Sequence, residues 1–437
     1  MRRGSRSLLT MWLVLLTTLG ASSAVAQLDE FFADDEEDAG PVEVSGNVKT
    51  FSVLSVPTYE HLLLGSDPVV MGATAGRLIV RVDGGEYLQA EVHPLVVATS
   101  AGLAGGNASG ITQLGVGGAR PEAVDLSILP VDSPYGAVTA IIDRAFLRLK
   151  LPNVDVTLGR QPVSFGQGFF FTPMDIVSPF SPATLDREFK PGVDAVRGDV
   201  FFGQATQVSL VAAYHDGFTL DGVVFAGHAR TNVLGIDVGL FGSRAHESWI
   251  GGFDLAGDAF GVGIRGEVTG TVPDDERELP FLRGVVGADL RYNTISVSAE
   301  LYAQTLGARD PKNYLSTFGS ERFARGELFL AGQLYGAVMA SWQVMPMLTP
   351  GISVMANVLD QSVLISPSLA WSVSDEVDVS VGAQIPQGRP ADDVELADLV
   401  DDTGQPLSPE AMGNLIRPRS EFGLYPATGF VQISAAF

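Results

Sequence analysis

The sequence predicts an all-β fold, a transmembrane antiparallel up-and-down β-barrel of 16–18 strands with short periplasmic turns and longer extracellular loops. Three observations lead to this prediction. The chain opens with an export signal, and its mean hydropathy is positive (+0.23) although no apolar run after Gln27 is long enough for a membrane helix. Apolar and polar residues alternate along many short segments, and a barrel in lipid needs an apolar residue at every second position.

The N-terminal residues 1–26 have the three zones of a secretory signal peptide. Arg2, Arg3 and Arg6 precede an apolar segment from Leu8 to Leu19, and small residues end at Ala26, where cleavage is expected. Residues 27–43 are acidic and have no period, which predicts a disordered periplasmic tail. The barrel is then expected over residues 44–437.

The charge balance excludes several classes of function. The chain has 27 Lys and Arg against 51 Asp and Glu, and losing the three signal-peptide arginines changes the net charge from −24 to −27. Nucleic acid is therefore not expected as a partner. The chain has no cysteine, and its five histidines show no spacing typical of a catalytic triad or a transition-metal site. We expect no enzyme activity, no metal site and no cofactor.

Two-residue periodicity defines the candidate strands. Residues 77–83 alternate charged and apolar side chains, and Asp83–Glu86 forms a hairpin turn. Five strands are expected before a long insertion, and residues 98–137 are expected to be a loop. The first five are 44–55, 76–83, 86–97, 138–150 and 154–161. The other thirteen are 193–202, 206–215, 221–229, 232–241, 247–256, 259–271, 281–292, 294–305, 325–344, 348–358, 362–373, 376–386 and 421–437. Eighteen strands enclose an aqueous channel rather than a packed core.

The last strand ends in Phe430–Phe437, with apolar residues at alternate positions and an aromatic residue at the terminus. This end resembles the signature by which the barrel assembly machinery recognises its substrates. The alternative is an edge strand of a soluble protein. Together with the signal peptide, Phe437 predicts the outer membrane of a Gram-negative bacterium, with lipid and lipopolysaccharide around the barrel.

Charged residues on the inward phase of the strands predict a polar lumen. The early strands form a basic sector, and acidic residues lie mostly further round. The basic residues are Arg77, Arg81, Arg144, Arg148, Lys150 and Arg197, and the acidic residues are Asp155, Asp199, Glu267, Asp289, Glu300 and Glu327. Such a pore orients polar solutes in a transverse field. In the alternative interpretation, the arginines simply bridge neighbouring strands through several hydrogen bonds.

The insertion between the fifth and sixth strands, residues 162–192, is unlike the rest of the chain. Its prolines exclude a regular strand or helix, while Gly166 and Gly168 permit a tight bend. Its phenylalanines, including Phe165 and Phe169–Phe171, would be costly to leave in water. We therefore expect the insertion, the third extracellular loop in this count, to pack on the interior wall.

The run Gly159–Gln161, Phe165–Gly168, Pro173–Asp175, Pro179 and Pro191–Arg197 resembles a segment of a family of Gram-negative porin-like outer-membrane proteins, in which Phe165 is often Trp. That family is distantly similar to alginate-export channels. In general porins the third extracellular loop folds into the barrel and forms the constriction, so residues 162–192 are expected to do the same. Charges expected near the narrowest point are Arg160, Asp175, Asp186, Arg187, Glu188, Lys190, Asp194 and Arg197. Salt bridges to the wall are the favoured role for Arg160 and Asp194, and solute contact for Arg187 and Lys190.

Three functional hypotheses follow. The first is a porin-like channel for passive diffusion of small hydrophilic solutes. The second is a non-conducting structural or adhesive barrel, and the third is an export channel for an anionic polymer. The sequence leaves open whether the barrel is a monomer or a homotrimer.

Overall fold

The computed structural model describes residues 41–63, 67–100, 122–179, 181, 188–214, 222–394 and 415–437. The signal peptide, the tail up to residue 40, Asp186 and Arg187 lie outside the described residues.

Nineteen strands account for most of the described chain. They are β1 (Val42–Val56), β2 (Val69–Asp83), β3 (Leu88–Ser100), β4 (Ser127–Ser133), β5 (Gly136–Leu151), β6 (Val154–Gln161), β7 (Val193–Phe202), β8 (Thr206–Tyr214), β9 (Val223–Val233), β10 (Ile236–Ala245), β11 (Ser248–Ala259), β12 (Val262–Pro273), β13 (Phe281–Tyr292), β14 (Ile295–Gln304), β15 (Leu334–Trp342), β16 (Leu348–Asn357), β17 (Ser362–Ser372), β18 (Val377–Gln387) and β19 (Ala427–Ala436). Two short helices, α1 (Tyr314–Phe318) and α2 (Glu321–Ala324), lie before β15. No helix among the described residues is long and apolar enough to cross a membrane.

The sheet closes on itself. Each strand pairs antiparallel with its neighbours, and β19 pairs with both β18 and β1, with Asn47 opposite Ala436. Among the described residues, β4 pairs only with residues 136–141 of β5, in line with β6, so the wall has eighteen strand positions. The fold class predicted from the sequence is confirmed.

Closure depends on a close approach at the two ends of the chain. The backbones of Gly46 and Phe437 exchange two hydrogen bonds, of 2.9 and 3.0 Å. A Cβ on Gly46 would come within 2.5 Å of the Phe437 ring, so this position has to be glycine for the ring to lie over the seam. The aromatic terminus therefore helps to seal the first strand to the last.

The two faces of the wall differ in chemistry. On β13, Leu282, Val286 and Leu290 are about half exposed, whereas Arg283 and Val285 between them are buried. On most strands the exposed residues are apolar and face lipid. The residues that alternate with them point to the other side of the wall and form most of the ion pairs. A barrel in a membrane requires this division.

Several predicted strand limits were wrong. Strand β9 continues to Val233, and its hairpin turns at Leu234–Gly235. Strand β11 continues to Ala259, and its hairpin turns at Phe260–Gly261. In both turns a bulky apolar residue occupies a position that is usually held by Asn, Asp or Gly. These two apolar residues gave no turn signal in the sequence.

Three further limits also needed correction. The predicted loop 98–137 contains β4. The strand predicted over 325–344 begins only at Leu334, since residues 311–333 form a connection with two helical turns. The last strand begins at Ala427 rather than at residue 421, because Phe422–Leu424 form a 3-10 turn.

A β-bulge interrupts the pairing of β3 with β5. His93 pairs with Arg144 and Pro94 with Ile142, which leaves Asp143 as the extra residue. Proline has no N–H for the ladder, which suits it to a bulge. The bulge buries Asp143, whose carboxylate forms an ion pair with Arg77.

Candidate functional site: the insertion between β6 and β7

The first part of the insertion (residues 162–192) packs against the inner, polar face of the wall. Val163 and Met174 are fully buried, and Phe165 is nearly so. They belong to one apolar cluster with wall residues from β7 to β11. The wall members include Val193, Ala195, Val211, Ala213, Val224, Ala226, Phe241, Ala245 and Ile250. Burial of each large apolar side chain stabilises this placement by about 1.5–3 kcal/mol.

Phe165 lies over strands β9 and β10. Its ring is 5.3 Å from the ring of Phe241 and 6.1 Å from that of His228, in tilted and edge-on arrangements typical of aromatic pairs. His228 in turn hydrogen-bonds to the buried carboxylate of Asp254 at 2.7 Å. Gly239 makes room for that pair, since a Cβ there would overlap both side chains.

Two wall carboxylates hold the backbone of the insertion. Glu267 on β12 accepts hydrogen bonds from the N–H groups of Gln167, Gly168 and Met174, the last at 3.3 Å. Gly166 has φ +105°, and a Cβ there would lie 2.9 Å from the Glu267 carboxylate. Only glycine fits this close approach.

Glu300 on β14 accepts from the next three N–H groups, those of Phe169, Phe170 and Phe171, at 2.5, 2.8 and 3.1 Å. Its charge is balanced by Arg265, whose Nε donates to it at 2.9 Å and whose guanidinium also pairs with Asp289. Together the two glutamates receive six backbone N–H groups. Hydrogen bonds to a charged acceptor are about twice as strong as neutral ones.

The aromatic end of the insertion extends the contact round the wall. Phe171 stacks on Tyr302, with ring centroids 4.7 Å apart and an angle of 11° between the rings, and lies 6.4 Å from Tyr335 on β15. Counting from β6, strands β7 to β14 are eight of the eighteen wall positions. The insertion therefore covers close to half of the circumference before it turns back.

The return limb carries a buried ion pair. The Lys190 ammonium pairs with the Asp175 carboxylate, which also accepts from the Ser164 hydroxyl at 3.3 Å. Burial raises the pKa of Asp175 and lowers the pKa of Lys190, and each effect is opposed by the partner's charge. The backbone oxygen of Lys190 accepts from Arg144 Nη2 at 2.7 Å. This pair ties the two limbs of the insertion to each other, and Arg144 ties them to β5.

The residues just before Lys190 contact the basic sector of the wall. The ring of Phe189 lies 4.4 Å from the Arg77 guanidinium carbon, 5.4 Å from Lys49 Nζ and 5.7 Å from Arg144. Glu188, which is half exposed, pairs with Lys49 at 2.5 Å. Cations over an aromatic face attract its negative quadrupole, more strongly when water is excluded.

A bidentate ion pair joins the two ends of the insertion. Arg160 on β6 donates to both carboxylate oxygens of Asp194 on β7 at 3.0 Å, and also to the carbonyl oxygens of Ile142 and Val124. Arg160 is 2 % exposed. The geometry matches the salt-bridge role favoured from the sequence for these two residues.

The other predicted charges lie nearer the periplasmic end. Arg81 pairs with Glu43 and Glu91, Arg148 donates to the Thr157 hydroxyl at 3.3 Å, and Arg197 pairs with Asp199. Among the described residues, Arg197 therefore pairs within its own strand, and no ion pair joins it to the described part of the insertion. The structure brings Arg77, Arg144, Asp175, Glu188 and Lys190 together around the return limb.

Sequence reasoning missed two parts of this arrangement. Glu267 and Glu300 were expected only to face inward, and their pairing with backbone N–H groups has no sequence signature. Phe189 was not singled out, although it lies between two charged residues in a proline-flanked segment. An aromatic residue inside a run of charges was the available signal.

A separate buried carboxylate holds the extracellular connections together. Glu421 accepts from the N–H of Ala331 at 2.8 Å, from Asn357 at 2.9 Å and from the Tyr335 hydroxyl. Burial raises the pKa of Glu421 to about 7. This contact joins the segment before β19 to the segment before β15.

Solved structures with the same architecture come from outer-membrane proteins. OccK9 of Pseudomonas aeruginosa superimposes with a TM-score of 0.57 at 11% identity, over 91% of this chain and 98% of that chain. A BenF-like porin from Pseudomonas fluorescens gives 0.55 at 9% identity, over 91% and 99%. The outer membrane protein opdK of P. aeruginosa gives 0.53 at 8% identity, over 90% and 99%.

The chain has the fold of the outer-membrane porins. No family model and no curated protein matches the sequence. The location predicted from the two ends of the chain agrees with the match to Gram-negative outer-membrane barrels.

Proposed function

We propose that this protein is an outer-membrane channel for the passive diffusion of small hydrophilic solutes, narrowed by residues 162–192. The observation that carries the proposal is the set of six backbone N–H groups held by Glu267 and Glu300. A loop that served only as an external surface would have no reason to bury its phenylalanines and its backbone against the polar face of the wall. Its attachment there reduces the open cross-section of an eighteen-strand barrel.

The charges that meet a solute are those at the edge of the insertion and below it. Glu188 and Arg81 keep more than a third of their side-chain surface exposed, at 56% and 37%. Arg160, Asp175 and Lys190 are buried in ion pairs, and we assign them the role of holding the insertion in place. Arg148 and Arg197 line the wider periplasmic part of the lumen in this proposal.

The barrel's partners are proposed on the same basis. Outer-membrane lipid and lipopolysaccharide surround the apolar face, and the strand that ends in Phe437 is recognised by the barrel assembly machinery. A homotrimer stays a prediction. Cross-linking of the barrel in native membranes would test it.

Single-channel recording in planar bilayers tests the proposal against its alternatives. A diffusion channel gives stepwise, ohmic currents, and reversal potentials in salt gradients report its ion selectivity. A structural or adhesive barrel gives no current steps. An export channel for an anionic polymer gives strong anion selectivity that falls when Arg144→Gln and Arg148→Gln are combined, with Arg291→Gln, exposed near a periplasmic turn, as the matched control.

A further inference from the structure

A row of four glycines crosses the lipid-facing side of the wall from β9 to β12. Gly227 lies opposite Gly242, Gly242 opposite Gly251, and Gly251 opposite Gly270. They share the face of Leu240, which is 66% exposed to lipid two residues before Gly242. Neighbouring strands are about 4.8 Å apart, so the row is about 14 Å long. None of the four has a positive φ, so the backbone conformation does not require glycine here.

The two central glycines, Gly242 and Gly251, lie at the bottom of a depression. A Cβ added to either of them would meet no atom within 4 Å. The next lipid-facing residues on both sides of them in β10 and β11 are all large. These residues are Arg244 and Trp249 toward the end of the wall that carries the insertion, and Leu240 and Phe253 toward the other end. We call this depression the glycine groove.

Leucine side chains limit the two ends of the glycine groove. Leu210 on β8 lies opposite Gly227, and Leu282 on β13 lies opposite Gly270. In both cases the leucine Cδ2 is 3.2 Å from the place that a Cβ on the glycine would occupy. Glycine inside a strand weakens the sheet and often marks a place where another molecule approaches closely. The open floor between the leucines therefore indicates a ligand on the membrane side of the wall.

Arg244 places a charge beside the groove. It is the only charged residue among the lipid-facing positions of β8 to β13. Its Nη2 donates to Asp274, just beyond the end of β12, and its Nη1 is buried without a hydrogen-bond partner in the described part of the chain. An arginine has five N–H donors, and Asp274 accepts from one of them. A cation on the lipid side of a barrel is costly, so its presence indicates an anionic ligand at the groove.

The level of Arg244 in the wall favours a lipid as that ligand. Arg244 lies one residue before the end of β10, at the same end of the wall as the insertion. Trp249 beside it is 63% exposed, and its ring centre is 5.4 Å from the guanidinium carbon. Tryptophan favours the boundary between hydrocarbon and headgroups, where lipid phosphates lie. The lipid-facing positions of β8 to β13 contain no carboxylate, so a second copy packed through this same surface could not neutralise Arg244.

We propose that the glycine groove binds a lipopolysaccharide molecule of the outer leaflet, with one acyl chain over Gly242 and Gly251 and a glucosamine phosphate on Arg244. In a membrane, van der Waals packing holds apolar groups together, and small residues permit the close approach that it needs. Arginine binds phosphate through charge-assisted hydrogen bonds, which fix the orientation of the lipid as well as its position. The inference depends on the membrane location and not on conduction.

Native mass spectrometry of the refolded barrel in detergent micelles tests the proposal, with purified bisphosphorylated lipid A as the probe. Gly251→Leu fills the groove and Arg244→Gln removes the charge, while Gly242→Leu takes the place of the first variant if that variant does not fold. Gly336→Leu is the matched control, because a Cβ on this glycine of β15 also meets no atom within 4 Å. Arg291→Gln controls for the loss of a charge elsewhere. Heat-modifiable migration on gels checks the folding of each variant.

We expect one lipid A molecule on the wild type, and about tenfold weaker binding to Arg244→Gln because a charge-assisted hydrogen bond is lost. Gly251→Leu should weaken binding by a similar factor, and both controls should bind as the wild type does. Dephosphorylated lipid A should bind the wild type as weakly as bisphosphorylated lipid A binds Arg244→Gln. Equal binding by all variants, or none by the wild type, would overturn the proposal. Loss of oligomers in Gly251→Leu with unchanged lipid A binding would also overturn it, and would make the groove an interface between copies of the chain.

Discussion

Glu300, on the inner face of β14, accepts a hydrogen bond of 2.8 Å from the backbone N–H of Phe170, which lies in a loop that leaves the wall at β6. Glu300 is 4 % exposed, and its only cationic partner among the described side chains is Arg265. A buried carboxylate costs free energy unless it is paired and hydrogen-bonded. The insertion and Glu300 therefore stabilise each other, and a change to either is expected to displace the other.

The substitution Glu300→Gln should loosen the insertion. An amide side chain has one acceptor oxygen, and its NH₂ group would face N–H donors of Phe169–Phe171. Loss of a charged acceptor for several buried donors costs about 2–3 kcal/mol. We expect larger and noisier single-channel currents and faster proteolysis within residues 162–192. The combination with Glu267→Gln should increase both effects.

Asp289→Asn is the matched control for these variants. Asp289 pairs with Arg265 beside Glu300 but makes no contact with the insertion among the described residues. It should leave the current noise and the cleavage pattern of the wild type unchanged. Equal effects of Asp289→Asn and Glu300→Gln would mean that wall stability, and not the anchor, was measured.

Replacing one member of the buried Asp175–Lys190 pair should lower the free energy of unfolding more than replacing both. Lys190→Met leaves an unpaired carboxylate in an apolar site, which costs about 3–5 kcal/mol. Asp175→Leu combined with Lys190→Met removes both charges and should recover most of that loss. Urea unfolding in micelles measures the three stabilities. A double variant no more stable than Lys190→Met alone would contradict a direct coupling between the two residues.

Arg160→Lys should destabilise the barrel despite conserving the charge. The guanidinium spans both Asp194 oxygens and two carbonyl oxygens, and an ammonium cannot reach all of them. We expect a loss of about 2 kcal/mol or more in the free energy of unfolding. Arg148→Lys, which affects one hydrogen bond to Thr157, is the control and should change stability by less than about 1 kcal/mol.

The buried Glu421 predicts a pH dependence of stability. Its pKa in the folded protein, about 7, lies above its ordinary value of 4.5, so the unfolded chain loses this proton first as the pH rises. The contribution of Glu421 to stability is therefore full below about 4.5 and is lost as the pH rises to about 7, by up to roughly 3 kcal/mol. Glu421→Gln should flatten this part of the curve. An identical pH profile in both proteins would contradict the assignment.

Most of the barrel could be predicted from the sequence because alternation is a local property. Residues 77–83 show the two-residue period directly, and strands such as Phe281–Tyr292 were predicted with the limits that the structure has. The errors fall where the local rule failed. Leu234 and Phe260 form turns that their residue types disfavour, and residues 325–333, which were predicted as part of a strand, lie in the connection before β15.

The candidate site was less predictable because its contacts join distant parts of the chain. The proline and phenylalanine content of residues 162–192 indicated burial, and a salt bridge to the wall was the role favoured for Arg160 and for Asp194, although their pairing with each other was not predicted. Nothing local to Gln167 or Phe170 indicates that their N–H groups meet Glu267 and Glu300, more than 90 positions later. Such pairings follow from barrel closure and not from periodicity.

The most direct test of the account compares single-channel conductance between the wild type and a variant that lacks residues 164–190. A variant shortened by residues 275–278, in a loop between β12 and β13 at the same end, is the control for loop removal as such. Folding of each is checked by heat-modifiable migration. We expect stepwise currents in the wild type, higher conductance in the first variant and unchanged conductance in the second. A folded first variant with wild-type conductance, or a wild type without current steps, would contradict it.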